Sequence, residues 1–164
     1  MTEAQFVDTN IFLRYLTADP ERYNACLTLF QQAERNQVHL ITSEAIIVEI
    51  VYVLSSPEHY QLSRPQIRVA LSRLLLLPGL KMANRNTYLR ALVLYAQHAA
   101  LEFEDCLSVA YMEQLEMGQI YSYDQGFDRF DSVERLEPEM QQEEKRGVVQ
   151  SEQPVNETEQ PIDE

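Results

Sequence analysis

Cysteine is scarce in this 164-residue chain, with Cys26 and Cys106 the only two. Both fall in helical patterns and lack the paired spacing of a zinc site, so neither a disulfide framework nor a thiolate metal centre is expected, and a reducing compartment is the natural setting. Long hydrophobic runs are absent too. No stretch approaches the roughly 18 uninterrupted apolar residues of a membrane span, and no basic segment leads into an apolar one at the N-terminus. The chain is therefore expected to be soluble and cytoplasmic, without a membrane partner. A Gly-x-Ser-x-Gly elbow is missing, and His39, His59 and His98 sit in ordinary surroundings, which leaves a serine or cysteine hydrolase unsupported.

Positive charge is also in short supply. The net charge is −13, a poor match to a nucleic acid, whose binding rests on Lys and Arg neutralising phosphates. The imbalance is uneven, however: residues 137–164 hold nine acids and two bases, whereas residues 1–136 hold 17 and 11. Ten of those 11 bases are arginine, Lys81 being the exception, and the planar guanidinium suits bidentate phosphate contacts.

What is present is enough apolar material, 45% of residues, for the core of one ordinary domain. Short apolar runs near Gln5–Val7, Val38–Ile41, Leu80–Ala83, Gln119–Ser122 and Val133–Leu136 read as strands. Longer periodic stretches around Ile11–Leu16, Glu21–Asn36, Ser43–Leu54, Arg64–Leu77, Thr87–Ala99 and Glu104–Glu116 read as helices. This alternation predicts an α/β fold, a three-layer α/β/α sandwich around a central, largely parallel sheet. The domain spans residues 1–136. Residues 137–164, rich in Glu, Gln and Pro and without periodicity, are expected to form an acidic, disordered tail. No internal repeat is evident.

Four acids stand out. In "EAQFVDTNIFLRYL" Asp8 interrupts an apolar run, and a carboxylate taken out of water needs a partner, a metal or a proton. It lies where the first strand gives way to a helix, the edge at which open α/β sheets bind ligands. It could equally cap that helix, as could Thr9 or Asn10. In "SEAIIVEIVYVLSS" Glu49 is the only charge between Ala45 and Leu54, on a helix whose apolar residues cover every side, so it is either exposed on a mostly buried helix or functional. In "LEFEDCLSVAYMEQL" the acids Glu102, Glu104 and Asp105 crowd a helix start, where the dipole favours them. Asp105 shares a face with Leu101, Ser108 and Met112 and turns toward the core. In "IYSYDQGFDRF" Ser122 and Asp124 point the same way at a strand end, Asp124 also fits a turn before Gly126, and Asp128 is a solvated or supporting acid.

Each acid has its own bland explanation, but together they predict a convergent anionic cluster. Like charges drawn together need a compensating cation, and an all-oxygen donor set suits Mg²⁺ or Mn²⁺. Waters on such an ion can bind a phosphodiester and supply the attacking hydroxide.

These residues resemble those of a PIN domain, most closely the VapC-type toxins of prokaryotic toxin–antitoxin pairs. The similarity covers about residues 4–136. "VDTNIFLRYL" is similar to the family's first strand and Asp-Thr-Asn turn, Glu49 matches the acid of its buried helix, "EFEDCLSVAY" resembles the helix carrying the third acid, and "SYDQGFDRF" its closing Ser/Thr-x-Asp segment. The resemblance implies catalytic and metal-binding roles for Asp8, Glu49, Asp105 and Asp124, with Thr9, Asn10, Ser122 and Asp128 in support. It implies an endoribonuclease that uses Mg²⁺ (or Mn²⁺) to cut RNA by in-line displacement, a homodimer, and an antitoxin that blocks the site. Gly126 stands where many relatives carry another acid, which bears on a second metal site and leaves the first intact. The alternatives are a housekeeping RNA-processing nuclease and a noncatalytic module binding RNA or protein. Other phosphate chemistries fit less well: a haloacid-dehalogenase-like phosphatase needs an acid where Asn10 stands, and a receiver domain needs adjacent acids after its first strand and a late lysine.

Overall fold

The computed structural model describes residues 3–138, so nearly all of the expected tail lies outside the described residues. The elements run β1 (Gln5–Phe6), α1 (Thr9–Leu16), α2 (Tyr23–Glu34), β2 (Leu40–Ile41), α3 (Glu44–Ser55), α4 (Arg64–Leu75), β3 (Leu80–Lys81), α5 (Arg85–Gln97), α6 (Phe103–Gln114), β4 (Gln119–Tyr121) and β5 (Glu134–Leu136). Each expected strand and helix is found within a few residues of its anticipated bounds. A 3₁₀ turn over Gln125–Arg129 has no counterpart in the sequence reading.

Every strand pair is parallel, as the alternation of strands and helices requires. Hydrogen bonds join β1, β2 and β3, with Gln5 opposite Leu40 and Leu40 opposite Leu80, and separately join β4 to β5, with Gln119 opposite Glu134. Leu40 and Leu80 point inward and are fully buried. Ile41, which follows Leu40, and Phe6 of β1, in register with it, point outward and are exposed, following the two-residue period of a strand.

The core is built mainly by helices. Ile46, Ile47, Ile50, Val51 and Leu54 of α3 meet Ile67, Leu71, Leu74 and Leu75 of α4 and the buried faces of α5 and α6. Helix α3 is not surrounded on all sides, as its uniformly apolar sequence predicts: Ala45, Glu49 and Tyr52 form an exposed stripe at i, i+4 and i+7. Helix α4 starts with a capping box between Ser63 and Gln66 and with Pro65 in its first turn. Arg64, beside it, donates through Nη1 to the carbonyls of His98 (2.9 Å) and Leu101 and lies 4.1 Å over the Tyr95 ring. It thereby satisfies carbonyls exposed at the C-terminal end of α5, where a cation is electrostatically favoured.

Gly79 explains how β3 enters the sheet. Its N–H donates to Ala33 O (2.9 Å) and its carbonyl accepts from Leu40 N (2.7 Å), and a Cβ there would lie 2.4 Å from Val38 O and 2.6 Å from Ala33 O. No side chain fits this approach of two backbones. At the opposite ends of the strands, Val7 N donates to Ile41 O (2.8 Å), Thr42 N to Lys81 O (3.1 Å) and the buried Thr42 Oγ1 to Val7 O (3.1 Å). That lock fixes the backbone on which Asp8 follows.

Candidate active site

Asp8 occupies the N-cap position of α1 in extended conformation, yet its side chain makes no capping bond. It is exposed, whereas Val7 and Thr9 on either side are buried. The expectation of a carboxylate drawn out of water is thus corrected: strand alternation turns Val7 inward and leaves Asp8 facing solvent. Its Oδ2 accepts from Asn10 Nδ2 at 3.1 Å. Thr9, 7% exposed, donates from Oγ1 to Glu49 Oε2 at 2.6 Å. Glu49 is therefore held against the first residue of α1, next to Asp8, by a charge-assisted bond between α1 and α3.

Asp105 and Asp124 each fill part of the structural role that sequence allowed them. Half-buried Asp105 accepts the Glu102 N–H through Oδ2 (3.1 Å) in a reciprocal capping box at the start of α6. Asp124 caps the 3₁₀ turn, its Oδ1 accepting from Gly126 N at 2.7 Å, while its own N–H donates to Ser122 Oγ at 3.0 Å. The two segments touch at Gly126, where a Cβ would lie 2.7 Å from Leu101 Cδ2 and 3.0 Å from Asp124 Oδ1. A larger residue at 126 would push against the side chain that leads into α6. Asp128 pairs with Arg135 (2.9 Å), which also donates to Ser122 O (3.0 Å) and pairs with Glu137. Its support is indirect, through the backbone that carries Ser122 and Asp124.

The structure thus ties Glu49 to Thr9, the neighbour of Asp8, and brings the turn after Asp124 against Leu101, just ahead of the helix that carries Asp105, while α3 contacts both α1 and α6. It does not draw the four into a closed cage: among the described residues no group of three or more His, Cys, Asp or Glu side chains has the spacing to hold a metal ion. The donor chemistry nevertheless fits a hard cation, because each of the four uses one oxygen within the protein, Asp8 Oδ2, Glu49 Oε2, Asp105 Oδ2 and Asp124 Oδ1, and has its other oxygen without a protein partner among the described residues. Cys106, beside Asp105, does not compete as a nucleophile. Burial pushes its thiol up to about 11, Asp105 and Glu102 adding to the shift while Arg64 opposes it, so it stays protonated and inert near neutrality.

Two residues that the sequence reading did not single out border this region. Arg135 ties the segment carrying Asp124 to β5, and only its contacts reveal this. Tyr52, one helical turn after Glu49 on the same exposed stripe, could have been noticed from its i+3 spacing.

A search of curated proteins gives no match. Among solved structures, VapC20 of Mycobacterium tuberculosis, described as a Sarcin-Ricin loop cleaving toxin, is similar at 18% identity with a TM-score of 0.34, covering 73% of this chain and 89% of that one. The family model for the PIN domain matches residues 6–133, a span that begins in β1 and contains all four acids. On that match, the chain belongs to the PIN-domain family.

Proposed function

We propose that this domain is an endoribonuclease dependent on Mg²⁺ or Mn²⁺ and the toxin of a type II toxin–antitoxin pair, acting through Asp8, Glu49, Asp105 and Asp124. The observation that carries the reading is Asp8, a helix-capping residue type in the capping position whose carboxylate does not cap. With its neighbour Thr9 committed to Glu49, the segment presents two carboxylates beyond the carboxyl end of β1, where ligands of open α/β sheets bind. A bound divalent cation would supply the charge that holds the scissile phosphate and the acidity that makes water a nucleophile. The chain's own part is to hold the four acids as oxygen donors. Asp8, Glu49 and Asp124 are exposed, and such side chains can change rotamer at low cost to converge on an ion. Asn10 and Thr9 orient Asp8 and Glu49, and Ser122 orients the backbone of Asp124.

A groove of about 790 Å³ between α1, α2 and α4, lined in part by Tyr15, Tyr23, Phe30, Leu74 and Leu77, supports an antitoxin partner that lays an apolar helix there. Tyr15 lies near one end of α1 and Asp8 at the other, and eight helical residues span about 12 Å. An extended segment of about four residues bridges that distance, enough to carry an arginine from the groove to the acids as counter-charge. Homodimerisation and a cytoplasmic setting belong to the same reading. Among the described residues no helix is long and apolar enough to cross a membrane.

The test is cleavage of RNA by the purified protein with Mg²⁺ or Mn²⁺, together with calorimetric titration of Mn²⁺. Asp8→Asn and Glu49→Gln should fold, lose cleavage and weaken Mn²⁺ binding. Expression of the unmodified protein should arrest growth, and co-expression of an adjoining small gene should relieve the arrest. Inactivity on RNA with both metals would leave the noncatalytic binding module in its place.

A further inference from the structure

Beside the elements that carry Glu49 and Asp105 lies a second, polar cleft of about 500 Å³, lined by Tyr52, Ser55, Ser56, Glu58, Arg64 and Glu102 among others. One wall continues the exposed stripe of α3: Tyr52 follows Glu49 by three residues, which places the two Cβ atoms about 5–6 Å apart. Its opposite wall is Glu102, whose N–H is held by Asp105. The cleft therefore opens directly between the elements that carry two of the four acids.

Its chemistry is that of a nucleotide site. Tyr52 is 65% exposed, an aromatic face standing in water at the cleft edge. Arg64 is a cation fixed in advance, since its Nη1 is anchored on the carbonyls at the end of α5 and its guanidinium lies over Tyr95. Nε and Nη2 are left without a protein hydrogen bond among the described residues. A planar cation whose side chain is already ordered binds a phosphate with little further loss of rotamer freedom. Glu58 and Glu102 add carboxylates, which only accept hydrogen bonds. Such acceptors suit bases with an exocyclic amino group, adenine, cytosine or guanine, over uracil. A base lying on Tyr52 must leave its own stack, so the substrate is unpaired at that position.

We infer that this cleft holds the unpaired nucleotide adjoining the scissile phosphate, with Tyr52 as its stacking surface and Arg64 as its phosphate contact. The inference rests on the ribonuclease reading and gives it a base preference: an amino-bearing base, held unpaired, beside the cut. Tyr52 is a specificity-determining residue in this account, outside the metal-binding set.

The experiment compares the unmodified full chain, Tyr52→Ala and Tyr52→Phe on 12-nucleotide single-stranded RNAs of all-adenine, all-cytosine and all-uracil sequence and on a perfect duplex, with Mn²⁺. Thermal melting confirms that the variants are folded. Tyr52→Ala should raise KM for the adenine and cytosine strands roughly tenfold, within the range that base–aromatic stacking supports, with kcat changed less than threefold. Tyr52→Phe should keep the parent KM, and the parent should prefer the adenine and cytosine strands to uracil and to duplex. An unchanged KM in Tyr52→Ala, or a loss confined to kcat, overturns the subsite while cleavage by the parent keeps the nuclease reading. Failure of the parent to cut any of these RNAs with Mg²⁺ or Mn²⁺ defeats both.

Discussion

Thr9 Oγ1 lies 2.6 Å from Glu49 Oε2, and this bond ties the start of the first helix to the acid-bearing face of α3. Thr9 is buried while Glu49 is exposed, so the hydroxyl restrains one carboxylate oxygen from the protein side and leaves the solvent side open. Thr9→Val keeps the shape and removes the donor. It should lower Mn²⁺ affinity and cleavage about tenfold or more, because Glu49 is no longer restrained. Its stability cost should stay near 1 kcal/mol, since Glu49 can hydrate once released. Parallel calorimetric titration and thermal melting check this, and unchanged metal affinity would make the bond purely structural.

Gly79→Ala tests the fold beneath the site. Its Cβ would meet backbone atoms, Val38 O at 2.4 Å and Ala33 O at 2.6 Å, so no side-chain rotation relieves the clash. We expect a loss on the order of 2–4 kcal/mol, read as the shift in urea midpoint. A loss below about 0.5 kcal/mol would mean that β3 and the end of α2 separate without cost.

Acid should weaken the link between α5 and α6. The hydrogen-bonded Arg90 guanidinium holds Glu113 below the usual carboxylate range, against a smaller effect of burial. A lowered folded-state pKa means that the contribution is present above the ordinary value of 4.5 and fades as pH falls through the folded value. The parent should therefore exceed Arg90→Met in stability at pH 6, and the difference should close below pH 4.5 and shrink in 1 M salt, since both side chains are partly exposed. Denaturant titrations at pH 6 and pH 3 measure it, and a difference that grows in acid would reverse the assignment.

Truncation after Pro138 should leave the melting temperature unchanged. The segment beyond it carries few large apolar groups to offset an ordering cost of roughly 1–2 kcal/mol per residue. Removing its negative charge should make RNA binding tighter and less discriminating. A marked drop in melting temperature would show that the segment belongs to the fold.

Much of this protein is local and therefore legible in sequence. The helices follow apolar spacing, the strands follow short runs bounded by turn residues, and the alternation of the two implies parallel pairing. Asp8 and Glu49 could be named because a charge inside an apolar pattern is visible without coordinates, Asp105 and Asp124 from their places at a helix start and a strand end, and the match of the PIN-domain model to residues 6–133 spans them all.

Only the tertiary structure decided what those acids contact within the fold. Asp8 and Asp124 both precede helical turns in extended backbone, and both residue types cap, yet Asp124 accepts Gly126 N while Asp8 makes no capping bond. Spacing alone cannot separate them. Glu49 sits in a sequence apolar on every side but lies on an exposed stripe, because burial depends on which neighbours reach a helix face and α1 and α6 leave that stripe of α3 open. The cleft between Tyr52 and Glu102 joins residues 50 positions apart. Periodicity records which way a side chain points within its own element, and long-range packing decides what it meets there.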